Sequence, residues 1–169
     1  MKKVYISDDT VRLTEYIDAE DDAGLFACWQ DEDVRRGYNG IYNTDWEKFT
    51  KRPTDDRSRW TATIERNIDG AKVGFIFLSP EDSPPDLAII VKKEYRGKGY
   101  GTRAFSMGLE YCFNSFGFDS IYAGCYPENK PSMAMLRKCG FKPHPEGNIP
   151  EKHYITGEDI TQFDFVKYR

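Results

Sequence analysis

Residues 86–103 read DLAIIVKKEYRGKGYGTR, and this stretch decides the fold. The apolar residues 87–91 predict a buried strand, and residues 100–116 predict a helix. The turn between them contains glycines that can adopt positive φ without a Cβ in the way: Gly97, Gly99 and Gly101. Because such a turn gathers backbone N–H groups at the start of a helix, the stretch predicts a cradle for phosphate groups.

The spacing of the glycines excludes two common phosphate loops. A Walker loop requires a lysine immediately before its Ser or Thr, and here Thr102 follows Gly101 directly. The dinucleotide fingerprint G-x-G-x-x-G also fails, because the glycines alternate as G-x-G-x-G. The remaining pattern is Arg-x-x-Gly-x-Gly, from Arg96 through Gly99 to Gly101. Three cations that suit a pyrophosphate accompany it: Arg96, Lys98 and Arg103.

A second motif follows downstream. Residues 121–126 predict a strand, and PENKPSMAMLRKCGF occupies residues 127–141. Pro131 suits the first turn of a helix, and Gly140 suits a helix end. The segment therefore predicts a strand followed by a short amphipathic helix, with Asn129, Ser132 and Leu136 at its start and middle.

The two motifs in this order resemble the coenzyme A loop and the following helix of the GCN5-related N-acetyltransferase (GNAT) superfamily. The resemblance covers residues 72–169 well and the first half by its general layout. It implies an α/β fold with a mixed, mostly antiparallel central sheet flanked by helices, in a single N-acetyltransferase domain over residues 1–169. It also implies acetyl-CoA as co-substrate, without a metal.

The resemblance further implies which residues contact the cofactor. In the family, the strand before the loop bulges and splays from the next strand, and the pantetheine arm enters the gap; here that strand carries Ile89, Ile90 and Val91. An N–H near Ile90 or Val91 is the candidate donor to the thioester oxygen. Asn129 is expected to contact the arm, with an ordinary helix cap as its alternative role. The implied pyrophosphate loop consists of Arg96, Gly97, Lys98, Gly99, Tyr100, Gly101 and Thr102.

The resemblance implies candidate catalytic residues as well. Asp86 aligns with a position where many members carry a glutamate base, acting directly or through water; its alternative role is that of a solvated turn residue. Many members have a tyrosine acid seven residues after the asparagine, but here that residue is Leu136. The pattern is closer to the branch that acetylates ribosomal-protein N-termini, a ribosomal-protein-alanine acetyltransferase-like branch, in which Ser132 would be the acid. Tyr126 is the other candidate acid, and a thiolate can also leave without one.

The implied activity is transfer of an acetyl group from acetyl-CoA to a primary amine by direct attack in a ternary complex. The acceptor is expected to be a protein N-terminal amine or a small-molecule amine, such as an amino acid, a polyamine or an aminoglycoside. Two alternatives stay open at this point. One is a catalytically inactive coenzyme A-binding sensor or scaffold, and the other is a nucleotide-binding module, which the glycine spacing disfavours.

Composition limits the class of protein. A chain of 169 residues with 39% apolar residues can bury one core, and a net charge of −4 disfavours a nucleic-acid partner. The two histidines and four cysteines show no metal-ligand spacing; the cysteines are Cys28, Cys112, Cys125 and Cys139. No apolar stretch approaches the ~18 residues of a membrane span. We therefore expect a cytoplasmic monomer or homodimer without a membrane partner.

Periodicity predicts the remaining elements. Residues 4–13 alternate around a turn, residues 18–30 predict a helix, and residues 31–59 predict one or two short helices. Residues 60–68 and 71–78 flank Asp69-Gly70 and predict a hairpin. The residues around 142–145 predict a Pro-rich loop, and residues 161–168 predict a final strand.

Overall fold

The structure, a computed structural model, describes residues 2–53 and 58–169, and its elements follow the predicted order. The helices are α1 (Asp18–Trp29), α2 (Glu32–Gly37), α3 (Trp46–Thr50), α4 (Tyr100–Phe116) and α5 (Lys130–Lys138). The strands are β1 (Val4–Ser7), β2 (Val11–Glu15), β3 (Trp60–Arg66), β4 (Lys72–Leu78), β5 (Leu87–Val91), β6 (Ser120–Cys125), β7 (Lys142–Pro143), β8 (Ile149–Lys152) and β9 (Asp159–Tyr168). Residues 54–57, within the region predicted to hold short helices, lie outside the described part.

The strands form two largely antiparallel sheets that meet at one point. The first sheet has the order β1-β2-β3-β4-β5, and the second has β6-β9-β7 with β8 paired to β9. A parallel bridge between Asp86 and Tyr122 joins the start of β5 to β6. There the Tyr122 N–H donates to the Pro85 carbonyl oxygen at 2.8 Å. Beyond this bridge the two strands separate, which confirms the predicted splay and the mixed, mostly antiparallel fold class.

The expected bulge in β5 is not observed. β5 pairs with β4 residue for residue, from Leu87 opposite Leu78 to Val91 opposite Gly74, without a register shift. Gly74 permits this regular pairing at its tightest point, because a Cβ there would lie 2.2 Å from the Ile90 carbonyl oxygen. The separation of β5 from β6 therefore opens the gap by itself.

Helices cover both faces of the first sheet. α4 buries Phe105 and its neighbours against one face, where Ile76 and Leu87 are fully or almost fully buried. On the opposite face, Phe75 and Ile90 pack with the buried residues of α1, α2 and α3. Each fully buried side chain of this size contributes about 1.5–3 kcal/mol. The two cores hold β5 rigidly between them, so its free edge keeps a fixed position beside the gap.

The structure adds two strands that the sequence did not predict. β7 consists of Lys142 and Pro143, and β8 pairs with β9. Prolines at residues 143 and 150 weaken the strand signal, although proline is compatible with short edge strands. β8 carries Glu151, and His144 directly follows β7. Within the described residues, no helix combines the length and the apolar character needed to cross a bilayer.

Candidate active site

The predicted phosphate cradle begins with a left-handed glycine turn. Gly97 has φ +71° and Gly99, the N-cap of α4, has φ +83°. A Cβ on either glycine would meet no atom within 4 Å, so the outer side of the turn is open. Gly101 differs, because it lies inside α4 and its Cβ would be 3.3 Å from Val91 Cγ2. The third glycine therefore serves close packing against β5, and the expectation of positive φ there is corrected.

The start of α4 provides N–H groups for an anion. No side chain caps the helix at Gly99, and the first bond of the helix runs from the Arg103 N–H to the Gly99 carbonyl oxygen at 3.2 Å. The N–H groups of Tyr100, Gly101 and Thr102 precede this bond, so they lack partners inside the helix. The positive end of the helix dipole faces the same open space. These features fit a pyrophosphate group, held mainly by backbone atoms.

Arg96 does not point into this cradle. Its guanidinium forms ion pairs with Asp33 at 2.8 Å and with Asp31 at 3.2 Å, and its Nε donates to the Val91 carbonyl oxygen at 2.9 Å. Asp31 is also the N-cap of α2. Arg96 therefore ties the glycine turn and β5 to α2, which is a structural role that the sequence alone did not reveal.

The other two cations are also occupied by protein groups. Lys98 Nζ donates to the Glu94 carbonyl oxygen at 2.8 Å, and Arg103 forms ion pairs with Asp8 and Asp9, each at 2.9 Å. The Tyr100 hydroxyl accepts a hydrogen bond from Arg66 at 3.4 Å, so its side chain points away from the turn. The prediction that these three cations face a pyrophosphate stays a prediction, since each of them contacts protein groups in the structure.

The free edge of β5 presents alternate residues to the gap. The Lys92 N–H donates to the Val73 carbonyl oxygen, and the Ser79 N–H donates to the Asp86 carbonyl oxygen. Residues 92 and 73 and residues 79 and 86 are therefore hydrogen-bonded pairs of the two strands. Because such pairs alternate along antiparallel strands, Ala88 and Ile90 also point their backbone groups towards β4. Ile89 and Val91 consequently face the gap. The expectation that Ile90 supplies a backbone donor is thus corrected, and Val91 remains.

The two carbonyl groups on this edge are already bound by side chains. The Tyr38 hydroxyl donates to the Ile89 carbonyl oxygen at 3.3 Å, and Arg96 Nε donates to the Val91 carbonyl oxygen. The N–H groups of Ile89 and Val91 are the donors left on this edge for a ligand. An extended amide-containing arm beside β5 could accept hydrogen bonds from them, which fits a pantetheine chain.

Asp86 lies where the two sheets meet. Its N–H donates to Ser79 Oγ at 3.0 Å, and its half-buried carboxyl group makes no hydrogen bond or ion pair with the described residues. Burial, together with the charge of Asp164, raises the pKa of Asp86 to about 7. Tyr38 lies near this carboxyl, and burial raises the pKa of Tyr38 above its usual value, with a further contribution from Asp86. Asp86 can therefore exchange a proton near neutral pH.

Asn39, Tyr126 and Glu151, which we call the cleft residues, are joined by a hydrogen-bond network that the sequence did not predict. Glu151 on β8 accepts hydrogen bonds from the Tyr126 hydroxyl and from Asn39 Nδ2, both at 2.8 Å. Asn39 also donates to the Lys152 carbonyl oxygen and accepts from the Tyr154 N–H. Asn39 has a left-handed φ of +48°. The Asn39-Gly40 pair, which is typical of turns, is the sequence signal that could have indicated this network.

This network changes the description of Tyr126 as a candidate acid. Tyr126 is buried, and burial and the bonded Glu151 carboxylate raise its pKa above the usual value. Its proton is therefore held between two protein groups. No contact joins Tyr126 or Ser132 to Asp86 within the described residues.

Asn129 and Ser132 sit at the start of α5. Asn129 Oδ1 accepts a hydrogen bond from the Ser132 N–H at 3.2 Å, so the ordinary helix-cap role is observed. This leaves Asn129 Nδ2 as the group best able to donate to a ligand. The Ser132 hydroxyl is half-buried and has no hydrogen-bond partner among the described residues. Leu136 is buried in the core, as an aliphatic residue in that position suggests.

Side chains suited to metal binding are not grouped in the described part of the chain, where no cluster of three or more His, Cys, Asp or Glu side chains could hold an ion. All four cysteines are free thiols, and Cys28, Cys112 and Cys125 are buried. The arrangement that does exist combines an anion cradle, a strand edge with two N–H donors and a carboxyl of raised pKa.

Comparison with known proteins identifies related chains. The profile of the family described as Acetyltransferase (GNAT) domain matches residues 11–142. The spermidine N(1)-acetyltransferase of Escherichia coli K12 is 30% identical over 106 residues, which cover 61% of this chain and 55% of that protein. The aligned part thus spans about half the length of this relative.

Solved structures share the fold at lower identity. Spermidine N-acetyltransferase from Vibrio cholerae, in complex with CoA and spermine, has a TM-score of 0.80 at 17% identity and covers 95% of this chain and 96% of its own. The ribosomal L7/L12 α-N-protein acetyltransferase RimL, in complex with coenzyme A, has a TM-score of 0.78 at 11% identity and covers 98% of each chain. At these identities the likeness establishes the fold alone.

Proposed function

Since the chain belongs to the acetyltransferase (GNAT) domain family, we propose that it transfers the acetyl group of acetyl-CoA to a primary amine by direct attack in a ternary complex. One observation carries the proposal. The open glycine turn at the start of α4 lies beside the splayed edge of β5, and the carboxyl of Asp86 lies at the other end of that strand. Residues 1–169 would form one catalytic domain.

The cofactor would be held mainly by backbone groups. The turn from Gly97 to Thr102 would bind its pyrophosphate, the N–H group of Ile89 would bind its arm, and Asn129 Nδ2 would add one side-chain donor. Acetyl-CoA supplies a thioester whose acetyl carbon an amine can attack. Val91 would direct its N–H at the oxygen that becomes negative, which is a favourable use of a preorganised dipole.

Asp86 would remove the proton from the attacking amine. A base works best when its pKa lies near the working pH, and burial together with Asp164 raises the pKa of Asp86 to about 7. Its carboxyl has no partner among the described residues, so a substrate ammonium group could fill the vacant position. Because aspartate is short, a water molecule would connect the two.

The acceptor best matched to this base is an α-amine. An α-ammonium group has an ordinary pKa of about 7.7–8.0, whereas a lysine-type ammonium has one of about 10.4. Proton transfer to a carboxylate whose acid has a pKa of about 7 therefore costs about 1 kcal/mol from an α-ammonium group and roughly 4–5 kcal/mol from a lysine-type ammonium group. This favours a protein N-terminus and the ribosomal-protein-alanine acetyltransferase-like branch. Polyamine acceptors, which the spermidine acetyltransferases suggest, are the competing small-molecule class.

Ser132 is the better candidate for protonating the departing thiolate. Its half-buried hydroxyl, at the start of α5, has no hydrogen-bond partner among the described residues, whereas the Tyr126 hydroxyl donates a hydrogen bond to Glu151. Tyr126 would then shape the acceptor side of the cleft through Glu151 and Asn39. A thiol with an ordinary pKa near 8.5 also leaves readily enough to make the acid a modest contributor.

A two-stage experiment tests this function. Thermal unfolding with acetyl-CoA should raise Tm by several degrees if the cradle binds the cofactor. A thiol-release screen should then compare peptides with free N-terminal residues against spermidine, lysine and aminoglycosides, and we expect the peptides to react fastest. Absence of a Tm shift at saturating acetyl-CoA would refute the proposal at its first step.

Asp86→Asn separates an enzyme from a coenzyme A-binding sensor. For an enzyme, we expect kcat to fall by about 10²–10⁴-fold while the acetyl-CoA Kd stays unchanged. Asp82→Asn, an exposed carboxylate in the same loop, is the matched control and should react like the wild type. Thiol release that is absent for every amine, with normal acetyl-CoA binding, would instead support the sensor.

A further inference from the structure

We propose that Glu151 binds a second cationic group of the acceptor, so that the protein selects amines that carry another positive charge. The inference rests on the proposed function, because it names the class of acceptor for that same site. Glu151 was not predicted as a site residue, since it lies on β8, a short strand that the sequence did not predict.

The Glu151 carboxylate is held at one oxygen and open at the other. Its Oε2 accepts hydrogen bonds from the Tyr126 hydroxyl and from Asn39 Nδ2, both at 2.8 Å. Its Oε1 accepts none from the described residues and is not one of their buried unpaired atoms, so it is open to solvent or to a ligand. The two bonds orient the carboxylate, and the open oxygen can accept a hydrogen bond from an ammonium or guanidinium group.

The charge of this carboxylate has no counter-ion within the described part of the chain. No Lys, Arg or His side chain there forms an ion pair with Glu151, and the adjacent Lys152 pairs with Asp159 at 2.6 Å instead. A half-buried carboxylate loses part of its hydration, and without a counter-ion it gains no Coulomb attraction in return. A cationic group of a bound acceptor would supply that attraction.

A chain of contacts connects Glu151 to the gap edge of β5. The Tyr38 hydroxyl donates to the Ile89 carbonyl oxygen at 3.3 Å. Because Asn39 directly follows Tyr38 and donates to Glu151, the same short segment binds both the strand edge and the carboxylate. The N–H groups proposed for acetyl-CoA lie on this edge. Glu151 is therefore tied to the proposed site by direct contacts.

Glu151 also contacts the far side of the gap, through Tyr126. This tyrosine directly follows β6, which separates from β5 beyond the bridge between Asp86 and Tyr122. Four residues along each parallel strand from that bridge lead to Ile90 and to Tyr126, so these two lie at about the same level on opposite sides of the gap. Glu151 therefore borders the gap at the level of the β5 donors.

Aromatic rings beside Glu151 suit a cationic group as well. The Tyr42 ring lies over Gly40, where a Cβ would be 2.5 Å from it, and its hydroxyl donates to the Tyr38 carbonyl oxygen at 3.4 Å. After burial and Glu151, Tyr42 is a further cause of the raised pKa of Tyr126, so the two tyrosines are close together. The Tyr42 side chain is 47% exposed. An exposed aromatic face next to a carboxylate attracts ammonium groups by cation–π contact and by charge.

Glu151→Gln tests this selectivity in the whole protein. Glutamine keeps the shape and an acceptor oxygen for Tyr126 and Asn39, but it removes the charge. Thiol release would compare two matched pairs of acceptors: a tripeptide with lysine in its second position against the same tripeptide with norleucine, and diaminobutane against butylamine. We expect the wild type to favour the dicationic member by about 10–100-fold in kcat/KM, and Glu151→Gln to lose this preference. The pair with the larger preference identifies a peptide or a small diamine as the source.

Glu158→Gln is the matched control, since it makes the same substitution at an exposed residue between β8 and β9 and should keep the wild-type preference. Equal wild-type rates within both pairs would overturn the inference while acetyl transfer stands. A preference that persists in Glu151→Gln would also overturn it. An equal loss for charged and uncharged acceptors would assign Glu151 a purely structural role and would overturn it too.

Binding decides the inference independently of turnover. Calorimetry with coenzyme A bound would measure the Kd of diaminobutane and of the lysine tripeptide, and we expect both values to rise about 10-fold or more in Glu151→Gln. Equal Kd values in the two proteins, or no detectable binding of either dication, would overturn the inference. Absence of thiol release with all four acceptors would refute the proposed function, and the two Kd values would still decide the role of Glu151.

Discussion

The proposed cofactor cradle and the proposed acceptor cleft differ in how far apart their residues lie in the chain. The cradle, residues 96–102, is one continuous turn whose shape follows from two left-handed glycines. The proposed acceptor cleft instead draws on residues from distant elements: Tyr38 after α2, Tyr126 after β6, Glu151 on β8 and Asp164 on β9. The first is a property of local backbone geometry, and the second exists only when distant strands pair.

This difference indicates how each region should respond to substitution. A change in the cradle alters the backbone that meets the cofactor, so it should weaken cofactor binding without touching the acceptor side. A change in the cleft disturbs side-chain contacts between elements, so it should affect the amine, its proton or the stability of the fold. The following variants separate the two regions, in order of decreasing effect.

Gly99→Ala should give the largest change in cofactor affinity. Gly99 has φ +83°, where an alanine is strained, and its Cβ would enter the open side of the turn. We expect the acetyl-CoA Kd to rise by about 10–100-fold and the free energy of unfolding to fall by about 1–2 kcal/mol. Isothermal titration calorimetry and urea unfolding measure these two quantities.

Gly157→Ala provides a control with the same backbone cost. Gly157 has φ +71° and no atom within 4 Å of its virtual Cβ, but it lies in the loop between β8 and β9. In Gly157→Ala, the free energy of unfolding should fall by a similar amount, and the acetyl-CoA Kd should equal that of the wild type. Equal weakening of acetyl-CoA binding in both variants would mean that strain, and not the cradle, determines affinity.

Asp86→Asn should change the pH dependence of stability. Burial and Asp164 raise the pKa of Asp86 to about 7 in the folded protein, whereas an unfolded aspartate has a pKa near 3.9. Between these values the folded state binds more protons, so the wild type loses stability as pH rises through that window. Relative to the wild type, we expect the variant to gain roughly 2–3 kcal/mol between pH 5 and pH 8.

Urea unfolding at several pH values measures this gain, with Asp82→Asn as the control that should run parallel to the wild type. A constant free-energy difference between Asp86→Asn and the wild type across this range would contradict the raised pKa. It would also remove the physical basis for Asp86 as a base near neutral pH.

Tyr126→Phe should have a smaller effect that is confined to the cleft. The substitution removes the hydroxyl that donates to Glu151 at 2.8 Å, and a buried hydrogen bond of this kind contributes about 1–2 kcal/mol. We expect a loss of about 1 kcal/mol in the free energy of unfolding and a higher KM for the amine, with an unchanged Kd for acetyl-CoA.

Tyr122→Phe is the control, because Tyr122 lies on β6, just before Tyr126, and its hydroxyl makes no hydrogen bond in the described part of the chain. It should behave like the wild type in both assays. A Tyr126→Phe variant with weakened acetyl-CoA binding and normal amine KM would assign Tyr126 to the cofactor side instead.

Arg103→Gln should have the smallest effect. Arg103 is exposed and paired with Asp8 and Asp9, so it neither lines the cradle nor anchors the core. We expect an unchanged Tm and an acetyl-CoA Kd within about threefold of the wild type, measured by calorimetry at low and high salt. A tenfold loss that disappears at high salt would show that the side chain swings towards the cofactor.

The sequence predicted the elements on both sides of the glycine turn well, because their determinants are local. The bounds of α4, the hairpin of β3 and β4 and the splay after Asp86 all agree with the structure. The predicted cofactor contacts of Arg96, Lys98 and Arg103 stay predictions, and the structure adds that each side chain contacts other protein groups. The prediction that the Ile90 N–H faces the gap was also wrong. Only the pairing register with β4 decides which backbone groups of β5 face the gap.

By itself, the sequence determined the order of elements, the glycine turn before α4 and the position of Asp86 at the start of a buried strand. These features depend on side-chain periodicity and on the conformational freedom of glycine, which act over a few residues. Only tertiary structure decided which distant side chains meet, such as Asn39 with Glu151 and Asp164 with His144. Strand pairing between distant segments brings these groups within hydrogen-bonding distance. It also decided the raised proton affinity of Asp86, since burial and a neighbouring charge exist only in the folded chain.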